Sequence, residues 1–127
     1  MHRLTLSVLP DHLAICKLPP DAPIPTWAQR GSFYSITRTD DELSLITIDD
    51  NIPPDVICDH DWRALKVDGP LEFSLTGVLE SVARPLADAA ISIFAIATFN
   101  TDYVLVKSSN LDRSIDALRA AGHNIQR

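Results

Sequence analysis

Three short stretches hold residues whose types and spacing could do chemistry. Thr76-Gly77 precedes a run with apolar residues three or four apart, so it stands at the start of a helix. A helix N-terminus has backbone N–H groups without partners and carries partial positive charge, which suits a carboxylate. Gly77 lacks a Cβ, so a ligand could come close to the backbone. The same two residues also make an ordinary helix start with Thr76 as its cap, and residue types alone leave both readings open. Asn100-Thr101-Asp102 offers an acidic group for an ammonium ion and is equally good turn chemistry. Asp59-His60-Asp61, with Asp49, Asp50 and Asp55 nearby, alternates carboxylate and imidazole as a divalent ion would require. It lacks the glycine and terminal glutamate of a calcium loop and reads as a solvated acidic linker, so no metal is expected.

Other chemistry is not legible. There is no Gly-x-Ser-x-Gly, no His-Glu-x-x-His and no glycine-rich phosphate loop. With only four glycines, a close backbone cradle for a nucleotide is not expected. No catalytic residue and no cofactor is predicted. Cys16 and Cys58 lie in apolar runs without metal-ligand spacing and read as a reduced, buried pair. His2, His12 and His123 are isolated near turns or termini and read as surface residues. Trp27 and Trp62 read as core anchors.

The elements that must position these residues follow from periodicity. Leu4, Leu6 and Val8 alternate with Thr5 and Ser7 as a half-buried strand, and a second strand is expected over 13–18. Pro19 to Pro25 reads as an extended connector, followed by a short helix through Arg30 and Gly31 beyond it. Strands over 33–38 and 43–48 flank the polar turn Thr39-Asp40-Asp41-Glu42. After a boundary near 50–60, a strand is expected over 62–67, then a turn at Asp68-Gly69-Pro70. A helix from about Thr76 carries Val78, Leu79, Val82, Leu86 and Ala89, with Pro85 inside it. The apolar run 91–99 and the stretch 103–107 read as strands, 111–121 as a helix capped by Asn110, and 124–126 as a last strand.

Strand, helix, strand, strand, helix, strand over 61–127 is the split βαβ, ferredoxin-like plan. The predicted fold class is α+β: two βαββαβ units with antiparallel sheets and helices on one face. Residues 1–60 would form the N-terminal unit, degraded or rearranged, and 61–127 the C-terminal one. The run 91–99 is apolar on both pleat faces, with Ile91, Ile93 and Phe99 on one and Phe94 and Ile96 on the other. Two helices cover one face, so a homodimer is expected.

The stretch Val67-Asp68-Gly69-Pro70-Leu71-Glu72-Phe73-Ser74-Leu75-Thr76-Gly77-Val78-Leu79 resembles the opening of an ACT domain. So do Leu86-Ala87, Ala90-Ile91-Ser92-Ile93-Phe94 and Ala97 through Val106. The similarity is greatest to the ACT domains of lysine-sensitive aspartokinases and of cytosolic arginine sensors, and it is stronger over 62–126 than over 1–60. The resemblance implies a ligand between paired ACT units. It would touch Ser74, Thr76, Gly77 and Val78 at the helix start, and Thr98, Asn100, Thr101 and Asp102 at the turn between strands. Ala97 departs from the serine found in aspartokinase-like members, and Pro85 should cost the helix one hydrogen bond.

Composition agrees with a non-catalytic module. At 46% hydrophobic residues the chain can build a core, and its net charge of −6 argues against binding a nucleic-acid backbone. No apolar stretch is long enough to span a bilayer, and the start of the sequence is unlike a signal peptide, so the expected localisation is cytoplasmic. The expected function is a sensor of a small molecule, an amino acid, acting on an unidentified target through an ACT–ACT interface. The alternative is a structural or interaction module that has lost its ligand.

Overall fold

In the computed structural model, which describes residues 2–71 and 76–127, the elements run in the following order. They are β1 (Thr5–Val8), β2 (Leu13–Leu18), a single 3-10 turn (Thr26–Ala28), β3 (Ser35–Arg38), β4 (Leu43–Ile48) and β5 (Ile57–Val67). Then come α1 (Val78–Asp88), β6 (Phe94–Ala97), β7 (Asp102–Lys107), α2 (Leu111–Ala120) and β8 (Asn124–Gln126). The chain forms two units, Asp11–Trp62 and the remainder.

The unit Asp11–Trp62 has the strand order β3-β4-β2-β5, with every neighbouring pair antiparallel. This is the split arrangement: β4 returns from β3 to lie between β3 and β2. Neither helix position of that plan holds an α-helix. Between β2 and β3 stand Pro19, Pro20, Pro23 and Pro25 and the 3-10 turn, because a run of prolines lacks the donors a helix needs. The short helix expected there is reduced to that turn. Between β4 and β5, Pro53-Pro54 interrupt the chain in the same way.

Two arginines supply donors that regular structure would otherwise provide. Arg38 Nη2 donates to Ala22 O at 2.7 Å, and its Nη1 donates to Pro20 O. Arg30 Nε donates to Trp27 O at 2.7 Å, while its Nη2 reaches Ile48 O at 3.2 Å and also Asp50 O. One apolar cluster holds Ala14, Cys16, Ala28, Leu43 and Leu45, with Trp27, Ile36, Val56 and Cys58 packed against it, and Leu13, Ile46 and Trp62 are also buried.

The cysteines correct the sequence expectation. The β2/β5 register places Cys16 opposite Cys58 with Cα atoms 4.1 Å apart, and the two form a disulfide rather than a reduced pair. The reduced reading rested on compartment, and cross-strand register was not visible in the sequence.

The second unit has the order β6-β7-β5-β1-β8. α1 contributes Val78, Val82 and Leu86 and α2 contributes Leu111, Ile115 and Leu118 to one core with Leu6, Leu65, Val67, Val104, Val106 and Ile125. The strand β1 was expected in the N-terminal unit and belongs here. It pairs antiparallel with β5 (Leu6↔Val67) and parallel with β8 (Leu6↔Ile125), taking the place beside β5 that the last strand of the plain plan would fill. Leu6, the inward residue of its alternation, is wholly buried in this core.

The apolar run 91–99 yields only a four-residue strand. Ala90 turns left-handed (φ 59°) and Ile91 N–H bonds back to Leu86 O at 2.9 Å, which commits Ile91 to the end of α1. In β6, Phe94 and Ile96 are half-buried and Ala95 and Ala97 exposed. The β5 strand, in contrast, begins at Ile57, ahead of the expected 62. Its acidic start accommodates a left-handed Asp61 (φ 64°) and a register shift against β2.

Pro85 leaves Ser81 O without its helical donor, and a histidine replaces it. His123 Nε2 lies 2.7 Å from Ser81 O, and His123 Nδ1 accepts from Leu4 N–H at 3.1 Å. A backbone N–H facing Nδ1 assigns the ring proton to Nε2. His123 is 4% exposed, so the expectation of a surface residue is corrected.

Candidate functional site

The helix corner is built by Gly77. It caps α1 in the left-handed conformation (φ 76°), and its carbonyl takes the Ser81 N–H at 3.0 Å. Among the described residues no side chain caps this end, so Thr76 is not the cap that the plain structural reading expected. Thr76 is exposed, and its carbonyl accepts from His2 Nε2 at 2.6 Å. A Cβ at position 77 would find its nearest described neighbour, His2 Nε2, only at 3.9 Å. Glycine is therefore favoured here by its backbone conformation, and no described residue crowds the space beside it.

That space is a recess of about 270 Å³ lined by His2, Thr76, Gly77, Glu80, Ser81 and Arg84. Glu80 and Arg84 pair at 3.4 Å on the exposed face of α1. Ser81 Oγ donates to Val78 O at 2.8 Å. The recess thus lies beside the first turn of α1 and is lined by a carboxylate, a guanidinium and an imidazole. That set can hold a small molecule carrying both an acid and an amine.

Of the expected helix-start residues, Thr76 and Gly77 line the recess. Val78 points its side chain into the core, 6% exposed, and does not line the recess. Ser74 lies outside the described residues. His2, Glu80, Ser81 and Arg84 were missed. The spacing of Glu80, Ser81 and Arg84, three and four apart, could have placed them on one face with Gly77. Nothing could have placed His2, because β1 reaches this unit only through pairing.

The expected turn residues form a separate, self-bonded group. Thr98 donates to Thr101 O through both N–H (2.9 Å) and Oγ1 (2.8 Å). Thr101 N–H returns to Thr98 Oγ1 at 3.3 Å. Thr101, 5% exposed, donates its own hydroxyl to Val67 O at 2.6 Å. Asn100 O accepts from Leu71 N–H at 2.7 Å, and its side chain is exposed. Asp102 opens β7 opposite Ala97 and is half-buried. The two threonine hydroxyls therefore already hold the turn and fix it to the end of β5. None of these four residues lines the recess at Gly77.

In the acidic stretch, Asp49 takes both neighbours. Its Oδ1 lies 2.8 Å from His60 Nδ1, and its Oδ2 accepts from Asp61 N–H at 2.9 Å. The carboxylate thus supports the irregular start of β5.

Residues 57–120 match the family model of the ACT domain, and a second model, described as an N-terminal domain, matches residues 11–55. The human protein CASTOR3P is 33% identical over 95 residues, 65% of this chain and 58% of that protein. The human cytosolic arginine sensor for mTORC1 subunit 1 is 39% identical over 59 residues, 46% of this chain and 18% of the sensor. The chain thus spans less than two thirds of either relative. Among solved structures, a protein from Agobacterium tumefaciens superposes with a TM-score of 0.93 at 42% identity, over 98% of this chain and 93% of that one. The ligand-free regulatory subunit of aspartate kinase from Thermus thermophilus superposes with a TM-score of 0.66 at 14% identity, over 94% and 99%, a likeness of fold.

Proposed function

Since the chain belongs to the ACT-domain family, we propose that it is a non-catalytic, cytoplasmic sensor that binds an amino acid at the Gly77 corner. The observation that carries this reading is the recess beside a helix N-terminus that no side chain caps among the described residues, with Glu80 on its rim. The ligand's carboxylate is held by the first-turn N–H groups of α1, including that of Val78. Its ammonium group faces Glu80. One relative is an arginine sensor and one structural neighbour is the regulatory subunit of a kinase, and both support a regulatory role.

The turn Thr98, Asn100, Thr101 and Asp102 lines no part of this recess within its own unit. A ligand that touches both sets needs a second ACT unit, which a homodimer supplies. Binding then favours the arrangement in which the facing turn closes the recess, and a target protein reads that arrangement. A ligand shifts such an equilibrium only by its difference in affinity for the two states. Coupling of this kind is typically about 1–3 kcal/mol. An interaction module without ligand is the second reading, favoured by Phe99 (78% exposed) and Leu79 (41% exposed).

A thermal-shift screen of the twenty amino acids separates the two readings. A ligand at a hundred times its Kd adds about 2.7 kcal/mol of stability. Gly77→Asn keeps a residue that tolerates the left-handed conformation and places its side chain in the recess. It is expected to weaken the responding amino acid at least tenfold by calorimetry while the melting curve stays cooperative. No response to any amino acid by the parent protein would sink the sensor reading. A response that Gly77→Asn leaves unchanged would move the ligand away from this corner.

A further inference from the structure

We propose that Cys16 and Cys58 are a reversible dithiol–disulfide site, reached at Cys58, that sets how firmly the unit Asp11–Trp62 is held together. The proposal does not depend on the ligand reading.

Register builds the pair. In β2 and β5 the matched residues run Lys17↔Ile57, Cys16↔Cys58 and Ile15↔Asp59. The two side chains therefore leave directly opposed positions, and the strands need not move apart or slide for the bond to break or re-form. Access to the two sulfurs is unequal. Cys16 is 2% exposed and belongs to the core cluster, whereas Cys58 is half-buried and follows Ile57, which is 71% exposed.

The unit has little else to hold it. All of its residues are described and none lies in an α-helix, and of its eight buried apolar residues two are alanines and one is Cys16 itself. A unit this small buries a modest share of its surface and gains most from a covalent closure. The bond closes a span of 42 positions, which includes the proline-rich connector and both hairpin strands β3 and β4. Constraining a loop of that length removes much of the freedom of the unfolded unit.

The exchange balances with an ordinary thiol as reductant. A small-molecule or protein thiolate attacks Cys58 Sγ, the Sγ–Sγ bond breaks, and Cys16 leaves as a thiolate that takes up a proton. A mixed disulfide remains on Cys58. A second reductant thiolate attacks the reductant sulfur of that mixed disulfide, and Cys58 leaves as a thiolate and is protonated in turn. Two electrons and two protons pass from two thiols, which depart as their own disulfide; oxidised thiol drives the reverse sequence. In a reducing compartment, disulfides that do form are transient or redox-sensing, which fits a pair whose partners stay in register when reduced.

The test uses the whole chain. After treatment with oxidised glutathione, denaturation in N-ethylmaleimide and mass spectrometry are expected to show neither cysteine labelled. Native incubation with dithiothreitol should leave both labelled, and a second round of oxidised glutathione should restore the unlabelled state. The oxidised form is expected to melt about 10 °C or more above the reduced form. A Cys58→Ser variant should melt at one temperature with or without dithiothreitol. Labelling of both cysteines after oxidised glutathione would overturn the proposal. So would a bond that dithiothreitol cannot open in the folded chain, equal melting of the two states, or an equal dithiothreitol effect on Cys58→Ser.

Discussion

His123 shows how one side chain can serve two backbones. Its ring donates to Ser81 O and accepts from Leu4 N–H, joining a helix to the residue that precedes β1. Replacing it with Phe keeps an aromatic ring but leaves both groups buried and unpaired, at about 1–3 kcal/mol for each. Urea denaturation is expected to show a loss of at least about 2 kcal/mol. Pro85→Ala gives Ser81 O a helical N–H, so the His123→Phe loss should shrink by about 1 kcal/mol in that background. Additive losses would mean that the histidine does not substitute for the missing donor. A lone histidine near a helix end gives no sign of burial in sequence. The available cue was Pro85, one helical turn after Ser81. The sequence marked Gly77 for the room it leaves a ligand at the backbone; the structure adds a left-handed φ of 76° that disfavours other residues. A Val there would be strained by about 1–3 kcal/mol, so Gly77→Val would disturb the fold as well as any binding.

At the level of elements, strands β2, β4 and β8 fall where alternation and turn residues place them, and α2 ends at Ala120, just short of the expected 121. The failures share a cause. The start of β5 carries Asp59-His60-Asp61, which reads as linker because charge hides a strand whose faces are open, and β6 is cut short because Ile91 completes the helix before it. Tertiary pairing decided both. The missing helices of the unit Asp11–Trp62 were half legible, since the prolines forbade them while nothing showed that arginines would support the carbonyls left behind. Arg38→Met keeps the apolar stem and removes the donors to Pro20 O and Ala22 O. The expected result is faster hydrogen exchange and faster proteolytic cutting within residues 19–25, with α1 and α2 unaffected. Unchanged cutting would mean that the prolines alone hold the connector.

For the whole molecule, the fold class and the two-unit plan were legible because each helix stripe and strand alternation points to the same layered answer. The allocation of β1 was not, since a strand of alternating Leu and polar residues fits either sheet. Its true place makes a prediction: a chain beginning at Arg63 should lack cooperative unfolding by circular dichroism, because β5 and β8 lose the strand between them. Recovery of a sharp transition on adding a peptide of residues 1–10 would show that only β1 was missing. The same insertion sets the timing of biosynthesis. β1 is made before either of its neighbours, and Leu6 must wait for Val67 and then Ile125. At roughly 5–20 residues per second, the nascent strand stays unpaired for on the order of seconds. Throughout that wait its apolar row is available to chaperones and to other nascent chains.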